Sequence, residues 1–194
     1  MKVTVLRLEH RARRDHRVTT HCALVSRAFG ADAFVFSGDR DSSIILSVDD
    51  VVKRWGGPFE INYETSWRNW LNKQKKARIV HLTMYGKELE EAIPEIRKVK
   101  EDLIVIVGGE KVPREIYERA DFNVSVTLQP HSEVAGIAVF LDRLFQGREL
   151  KKKFTKPEIK IIPQERGKMI ENISKSSGPS KNTLLQKLKL EDES

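Results

Sequence analysis

The chain has 194 residues, 39% of them hydrophobic and 32% charged, which suits one packed domain, or one domain with an appendage, and excludes a mainly disordered chain. No apolar run approaches the roughly 18 residues of a membrane span, and the single cysteine, Cys22, excludes an internal disulfide framework and a cysteine-clustered zinc site. Lys+Arg 35 against Asp+Glu 28 gives a net charge of +7, which favours a polyanionic partner, either nucleic acid or an anionic membrane surface.

The opening MKVTVLRLEHR is charged too early for a signal peptide, so a cytoplasmic protein is expected. Within it, Lys2–Leu8 has the β-rich, period-two pattern of a strand. Asp15–Phe29 turns helical, with Gly30 placed as a C-terminal cap. Ala33–Phe36 is a short apolar strand that stops at Ser-Gly-Asp-Arg-Asp. Ser47 has the look of an N-cap, with Asp49 and Asp50 in the first turn of a helix running to Trp55. Phe59–Tyr63 predicts a strand and Ser66–Ala77 a basic helix.

Arg78–Thr83 and Leu103–Val107 are apolar runs suited to buried parallel strands. Between them lies a helix over Lys87–Lys98, kinked at Pro94. Pro113–Arg119 predicts a short helix with proline in its first turn. Phe122–Val126 is strand-like, and Val134, Ile137, Ala138, Leu141 and Phe145 follow helical spacing up to Gly147. A further strand is expected at Ile159–Ile162, a linker at Lys175–Lys181 and a short helix at Thr183–Leu190. The alternation of β and α predicts an α/β fold with a mainly parallel sheet.

Several signatures are missing. The glycine pattern excludes a G-x-G dinucleotide turn, and there is neither a Walker loop nor an H-E-x-x-H zinc helix. The five histidines show no metal-ligand spacing, and Cys22, in mid-helix, is expected to be a buried thiol. Chemistry concentrates instead at three strand ends: Met84-Tyr85-Gly86, Gly108-Gly109-Glu110-Lys111-Val112-Pro113, and Thr127-Leu128-Gln129-Pro130-His131-Ser132-Glu133. Ligands of open α/β sheets sit beyond the carboxyl ends of strands, and paired glycines let the backbone approach them. Taken singly, each loop reads equally well as a tight turn or a helix cap. Three together predict a ligand pocket.

Basic residues form two runs. Arg7, Arg11, Arg13, Arg14 and Arg17 face only Glu9 and Asp15, and Arg14, Arg17 and His21 share a helical face. Arg68, Lys73, Lys75, Lys76 and Arg78 meet no acid and are interleaved with Trp67 and Trp70. Either run alone is an ordinary solvated face; both together in a +7 chain point to nucleic acid.

The segments Arg13–Ala31 (RRDHRVTTHCALVSRAFGA), Val107–Pro113 (VGGEKVP) and Asn123–Leu144 (NVSVTLQPHSEVAGIAVFLDRL) resemble the three motifs of the archaeal tRNA cytidine-56 2′-O-methyltransferases, of the SPOUT superfamily. The resemblance spans about residues 1–165. It implies an α/β domain with a C-terminal trefoil knot and a short strand extension over 1–165, leaving 166–194 as a flexible polar tail. It also implies a homodimer, tRNA as substrate, no metal, and S-adenosylmethionine as cofactor. In the resembling family the cofactor contacts correspond to Leu82, to Gly108, Gly109, Glu110, Lys111 and Val112, and to Val126, Thr127, Leu128, Gln129, Pro130, His131, Ser132 and Glu133. Arg11, Arg13, Arg27, Arg68, Lys73, Lys75 and Lys76 are the expected RNA contacts.

Attack of a ribose 2′-hydroxyl on a sulfonium methyl needs in-line positioning and a group that stabilises the developing alkoxide. Ribose-methylating relatives use a motif-one arginine, but their N-x-x-A-I-x-R pattern is absent here, so spacing alone does not place it. Arg17, Arg14 and Arg27 are the candidates; Arg17 is favoured, with Asp15 pairing to orient it. Two other readings stay open: a non-catalytic basic RNA-binding α/β protein, and an enzyme acting on free nucleotides.

Overall fold

The computed structural model describes residues 1–109 and 111–173. The expected linker and tail helix beyond Ile173 lie outside these residues. Strands β1 (Val3–His10), β2 (Ala33–Gly38), β3 (Glu60–Tyr63), β4 (Arg78–Glu88), β5 (Leu103–Gly108) and β6 (Phe122–Ser125) form one sheet in the order β3-β2-β1-β5-β4-β6. Every pairing in it is parallel. The helices are α1 (Ala12–Ala28), α2 (Ser42–Trp55), α3 (Trp67–Lys73), α4 (Leu89–Ile96), α5 (Arg114–Arg119) and α6 (Glu133–Phe145), followed by a 3-10 turn, Arg148–Lys151. The expected α/β class is what the chain adopts.

Apolar runs fill both faces of the central strands, as burial on two sides demands. On one face Leu6, Leu8, Val35, Ile104 and Ile106 pack against Trp67 and Leu71 of α3 and Ile116 of α5. Each such buried side chain contributes about 2 kcal/mol. Strand alternation turns Val5 and Arg7 to the opposite face, where α1 and α6 pack.

Two helices start earlier than their sequence predicts, for one reason. The N-terminus of α1 is held at Ala12 because the Asp39 carboxylate, arriving from the end of β2, accepts its backbone N–H at 2.9 Å. That of α2 is fixed at Ser42 because Asp41 accepts the Ser43 N–H at 3.1 Å. Ser47 is therefore interior to α2 and donates its hydroxyl to the Ser43 carbonyl at 2.7 Å. Conversely α3, expected over Ser66–Ala77, is capped by Ser66 and stops at Lys73, short of Ala77. Gly30 closes α1 in the left-handed conformation (φ +94°), with the Ala31 N–H bonded to Ser26 O.

Two irregularities shape the strand ends. Between β1 and β2 the register passes from Arg7↔Phe36 to His10↔Gly38, so β1 holds one residue more. That bulge leaves Glu9 left-handed at φ +55°, at a cost of about 1 kcal/mol. Between β4 and β6, Leu82 and Lys87 both register with Val124, so Thr83–Gly86 loops out. There the backbones nearly touch: a Cβ on Gly86 would lie 2.4 Å from the carbonyl carbon of Asn123.

The chain divides into two compact units. The first, Met1–Asp50 with Pro58–Lys153, contains the sheet. The second joins Val51–Gly57 to the described chain from Phe154 to Ile173. In it β7 (Ile159–Ile162) pairs antiparallel with β8 (Met169–Asn172), and Gly57 bridges to Thr155. The β8 segment, Met-Ile-Glu-Asn, lies within the stretch read as polar tail; four residues with one pronounced apolar pair give too little pattern to announce a strand.

Candidate functional site

A cavity of about 540 Å³ opens at the carboxyl ends of β1, β4 and β5 and the N-terminus of α6, the place where parallel α/β sheets hold ligands. Of the residues expected at the cofactor, Leu82, Gly108, Gly109, Val112, Val126, His131, Ser132 and Glu133 line it. Ser132 does so while also capping α6, accepting the Ala135 N–H at 3.3 Å. Lys111 lines a neighbouring cavity instead. Thr127, Leu128, Gln129 and Pro130 form the turn before the lining residues, with Leu128 60% exposed and the Gln129 carbonyl accepting from His131 Nδ1 at 2.9 Å. Glu110 is outside the described residues.

The arginines separate clearly. Arg11, Arg14 and Asp15 line the cavity, and Arg17, exposed on α1, does not. Asp15 does orient an arginine, but that arginine is Arg11: its Nε and Nη2 donate to the two Asp15 oxygens at 2.9 and 3.1 Å. Helix geometry decides this. Arg11, the N-cap residue of α1, folds back over the first turn, where Asp15 also accepts its backbone N–H at 3.2 Å, whereas Asp15 and Arg17, two apart on the helix, diverge. Arg13 is exposed beyond the cavity, and Arg27 is buried at the C-terminal turn of α1, away from solvent-facing RNA.

One residue that sequence patterns left unassigned sits at the floor. Arg7, only 1% exposed, places Nη2 3.2 Å from Glu133 Oε1 and 3.6 Å from Asp15 Oδ2. Its Nε and Nη1 have no hydrogen-bond partner among the described residues. A charged residue inside the apolar strand Val3–Leu8 was the available signal. His81, Thr83 and Tyr117 were missed as well: His81 Nδ1 lies 2.9 Å from Asn123 Oδ1, and Thr83 and Tyr117 share a hydroxyl hydrogen bond at 3.0 Å.

The donor set fits S-adenosylmethionine. Leu82, Val107, Val112 and Val126 offer an apolar wall, Gly108 and Gly109 an open backbone edge, and Asp15 and Glu133 bring carboxylates to the lining. The orphaned Arg7 N–H groups suit an anionic group. A ligand bearing a sulfonium, an ammonium and a carboxylate presents both signs of charge.

The second basic run lies elsewhere. Lys73, Lys75 and Lys76 line a cleft with Lys2, Lys100 and Trp70 near the amino ends of β1 and β5. Arg68 is held by Glu115 at 2.7 Å and lies over the Trp67 ring, 4.2 Å from its centroid.

Titration follows from these contacts. Burial holds the His10 and His81 imidazoles below the usual histidine value, His10 further opposed by Arg7. The Arg11 hydrogen bond holds Asp15 below the ordinary carboxylate range, and the Ser43 hydroxyl holds Asp41 down at about 2. Burial pushes the Cys22 thiol up to about 12, so it is inert. As pH falls below about 6.5, the unfolded chain binds protons that folded His10 and His81 refuse, and stability drops. Below about pH 4 the two carboxylates add a second fall, because they protonate in the unfolded chain first. Urea midpoints measured down this range should show both steps, with His81→Gln shrinking the first alone.

A family model described as tRNA ribose 2′-O-methyltransferase, aTrm56, matches residues 55–171. A tRNA (cytidine(56)-2′-O)-methyltransferase of Thermococcus kodakarensis is 55% identical over 172 residues, covering 87% of this chain and 96% of that protein. One from Pyrococcus horikoshii is 53% identical over 171 residues, covering 87% and 84%. Among solved structures, the SpoU methyltransferase AviRb of Streptomyces viridochromogenes, in complex with AdoMet, is similar at a TM-score of 0.56 and 11% identity. That match covers 76% of this chain and 58% of AviRb. The A. aeolicus TrmH/SpoU tRNA modifying enzyme is similar at a TM-score of 0.52 and 15% identity, with 77% of each chain covered. At such identities the structures speak for the fold, that of the SPOUT methyltransferases, and the sequence relatives carry the rest: the chain belongs to the tRNA ribose 2′-O-methyltransferase aTrm56 family.

Proposed function

We propose that this chain transfers a methyl group from S-adenosylmethionine to the ribose 2′-hydroxyl of cytidine 56 in tRNA. The observation that carries this reading is Arg11, gripped by Asp15, at the mouth of a cavity built from the three strand-end loops, in a chain more than half identical to such enzymes. The cofactor supplies an electrophilic methyl on a sulfonium. The protein supplies position and charge. Asp15 fixes the plane of the Arg11 guanidinium, and Arg7, between Asp15 and Glu133, fixes Asp15. Arg11 then faces the oxygen that gains negative charge as the hydroxyl attacks and gives up its proton to solvent water at the cavity mouth. Arginine keeps its proton, so its role is to orient and stabilise rather than to act as base.

Arg14, at the same mouth, holds a backbone phosphate, and Arg17, Arg13 and the Lys73–Lys76 cleft extend that grip over a molecule as large as tRNA. The fold includes the C-terminal trefoil knot of the superfamily, supported by the close crossing of Gly86 and Asn123. The working enzyme is a cytoplasmic homodimer, with a solution mass of about twice 22.3 kDa. A protein that only bound RNA would have no use for a cavity lined by paired glycines and opposed charges.

Labelled S-adenosylmethionine and unmodified tRNA transcript test the reading directly. The expected product is a single 2′-O-methylcytidine at position 56. Tight tRNA binding with neither cofactor binding nor transfer would hand the case to the RNA-binding alternative.

A further inference from the structure

We propose that a second cavity, sharing Arg11 with the first, receives the target cytosine, and that the Glu9 carboxylate reads its 4-amino group. This rests on the methyl-transfer reading above and extends it to the choice of base.

The cavity, about 470 Å³, is lined by Glu9, His10, Arg11, Gly38, Asp39 and Lys111. Arg11 forms the wall between the two cavities: a Cβ on Gly109, which lines the first, would lie 4.0 Å from Arg11 Nη2. A ribose held at Arg11 with its 2′-hydroxyl toward the first cavity has its base one glycosidic bond away. The second cavity is the adjoining space.

Its chemistry excludes other ligands. Glu9 and Asp39 repel a phosphate, while Arg11 and Lys111 repel a metal ion, and no group of His, Cys, Asp or Glu among the described residues could hold one. What suits acceptors set beside donors is a neutral edge that itself carries both. Cytosine presents an amino donor next to the N3 and O2 acceptors, and a carboxylate is a natural partner for that amino group. Uracil puts a carbonyl oxygen at the same place, which a carboxylate rejects.

Of the two carboxylates, Asp39 is committed to the fold through the Ala12 N–H. Glu9 makes no hydrogen bond or ion pair among the described residues, yet the chain holds it left-handed. The bulge of β1 against β2 produces that conformation, and Gly38 pins it: a Cβ there would lie 2.4 Å from His10 O. Bulges re-aim side chains, and strained residues persist where function needs them. Buried His10, its Nδ1 2.8 Å from Thr19 Oγ1, forms the floor.

The test compares methyl transfer by the full-length protein to tRNA transcripts carrying C56 or U56. Wild type is expected to favour cytidine by about tenfold or more in kcat/KM. Glu9→Gln, whose amide both donates and accepts, should lose about tenfold on C56 and bring the C56/U56 ratio close to one. Glu9→Asn, a residue suited to the left-handed conformation, guards against a folding artefact and should lose the ratio likewise. A wild-type ratio in both variants overturns the proposal, whether or not overall activity falls. No transfer to C56 by wild type would instead bring down the methyltransferase reading itself.

Discussion

Arg11→Ala slows single-turnover methyl transfer about 10²–10³-fold, the usual consequence of removing one donor aimed at a developing oxyanion. Cofactor binding stays close to wild type, because the walls formed by Leu82, Val107, Val112 and Val126 are untouched. Stability also survives: the Arg11 side chain is 40% exposed, and an ion pair so open to water contributes at most about 1 kcal/mol. Asp15→Asn removes the carboxylate that orients Arg11 and falls between wild type and Arg11→Ala. Arg17→Ala, outside the cavity, weakens tRNA affinity and its salt dependence but leaves the transfer rate within about threefold at saturating tRNA. The reverse ranking, with Arg17→Ala crippled and Arg11→Ala active, would return the alkoxide to Arg17. Single-turnover rates at saturating cofactor decide between them.

Gly86→Ala is the second large effect. Its Cβ would stand 2.4 Å from Asn123 C and 2.5 Å from Asn123 O and Val124 N, all backbone atoms. A flexible side chain swings aside for such a contact; a backbone inside a parallel sheet does not. The variant is expected to lose about 3 kcal/mol or more, lowering the thermal midpoint by about 6–12 °C. The loss extends to the site, since Thr83, Met84 and Tyr85 line the cavity immediately before this residue. A melting curve settles it, and an unchanged midpoint would mean that the two backbones do not cross so closely.

What the sequence announced, and what it hid, follows from the range of each interaction. Strands such as Leu103–Gly108 and Ala33–Gly38 declare themselves because a strand buried on both faces must be apolar throughout. Ser132 was legible as a cap because a cap bonds within three residues. The start of α1 was not, because its capping carboxylate, Asp39, lies 27 residues downstream. The strand-end loops gave away the cavity through their composition. Its floor stayed hidden, since Arg7 meets Glu133 across 126 residues, and only folding reveals that partnership. The choice among Arg17, Arg14 and Arg27 was out of reach at a finer scale: a cluster of arginines along a helix does not say which of them faces the cavity until its neighbours are placed.

The central position of β1 reaches back to synthesis. Val5 finds its β2 partner, Phe34, about 30 residues later, but Val3 waits about 100 residues for Leu103 of β5. At roughly 5–20 residues per second, the innermost strand spends about 5–20 s with one edge open. An open, apolar, parallel edge invites pairing with a neighbouring nascent chain. Arg7, in the middle of that edge, is the kind of charge that discourages it. The same guanidinium that later ties Asp15 to Glu133 thus keeps the unfinished sheet from closing on a stranger.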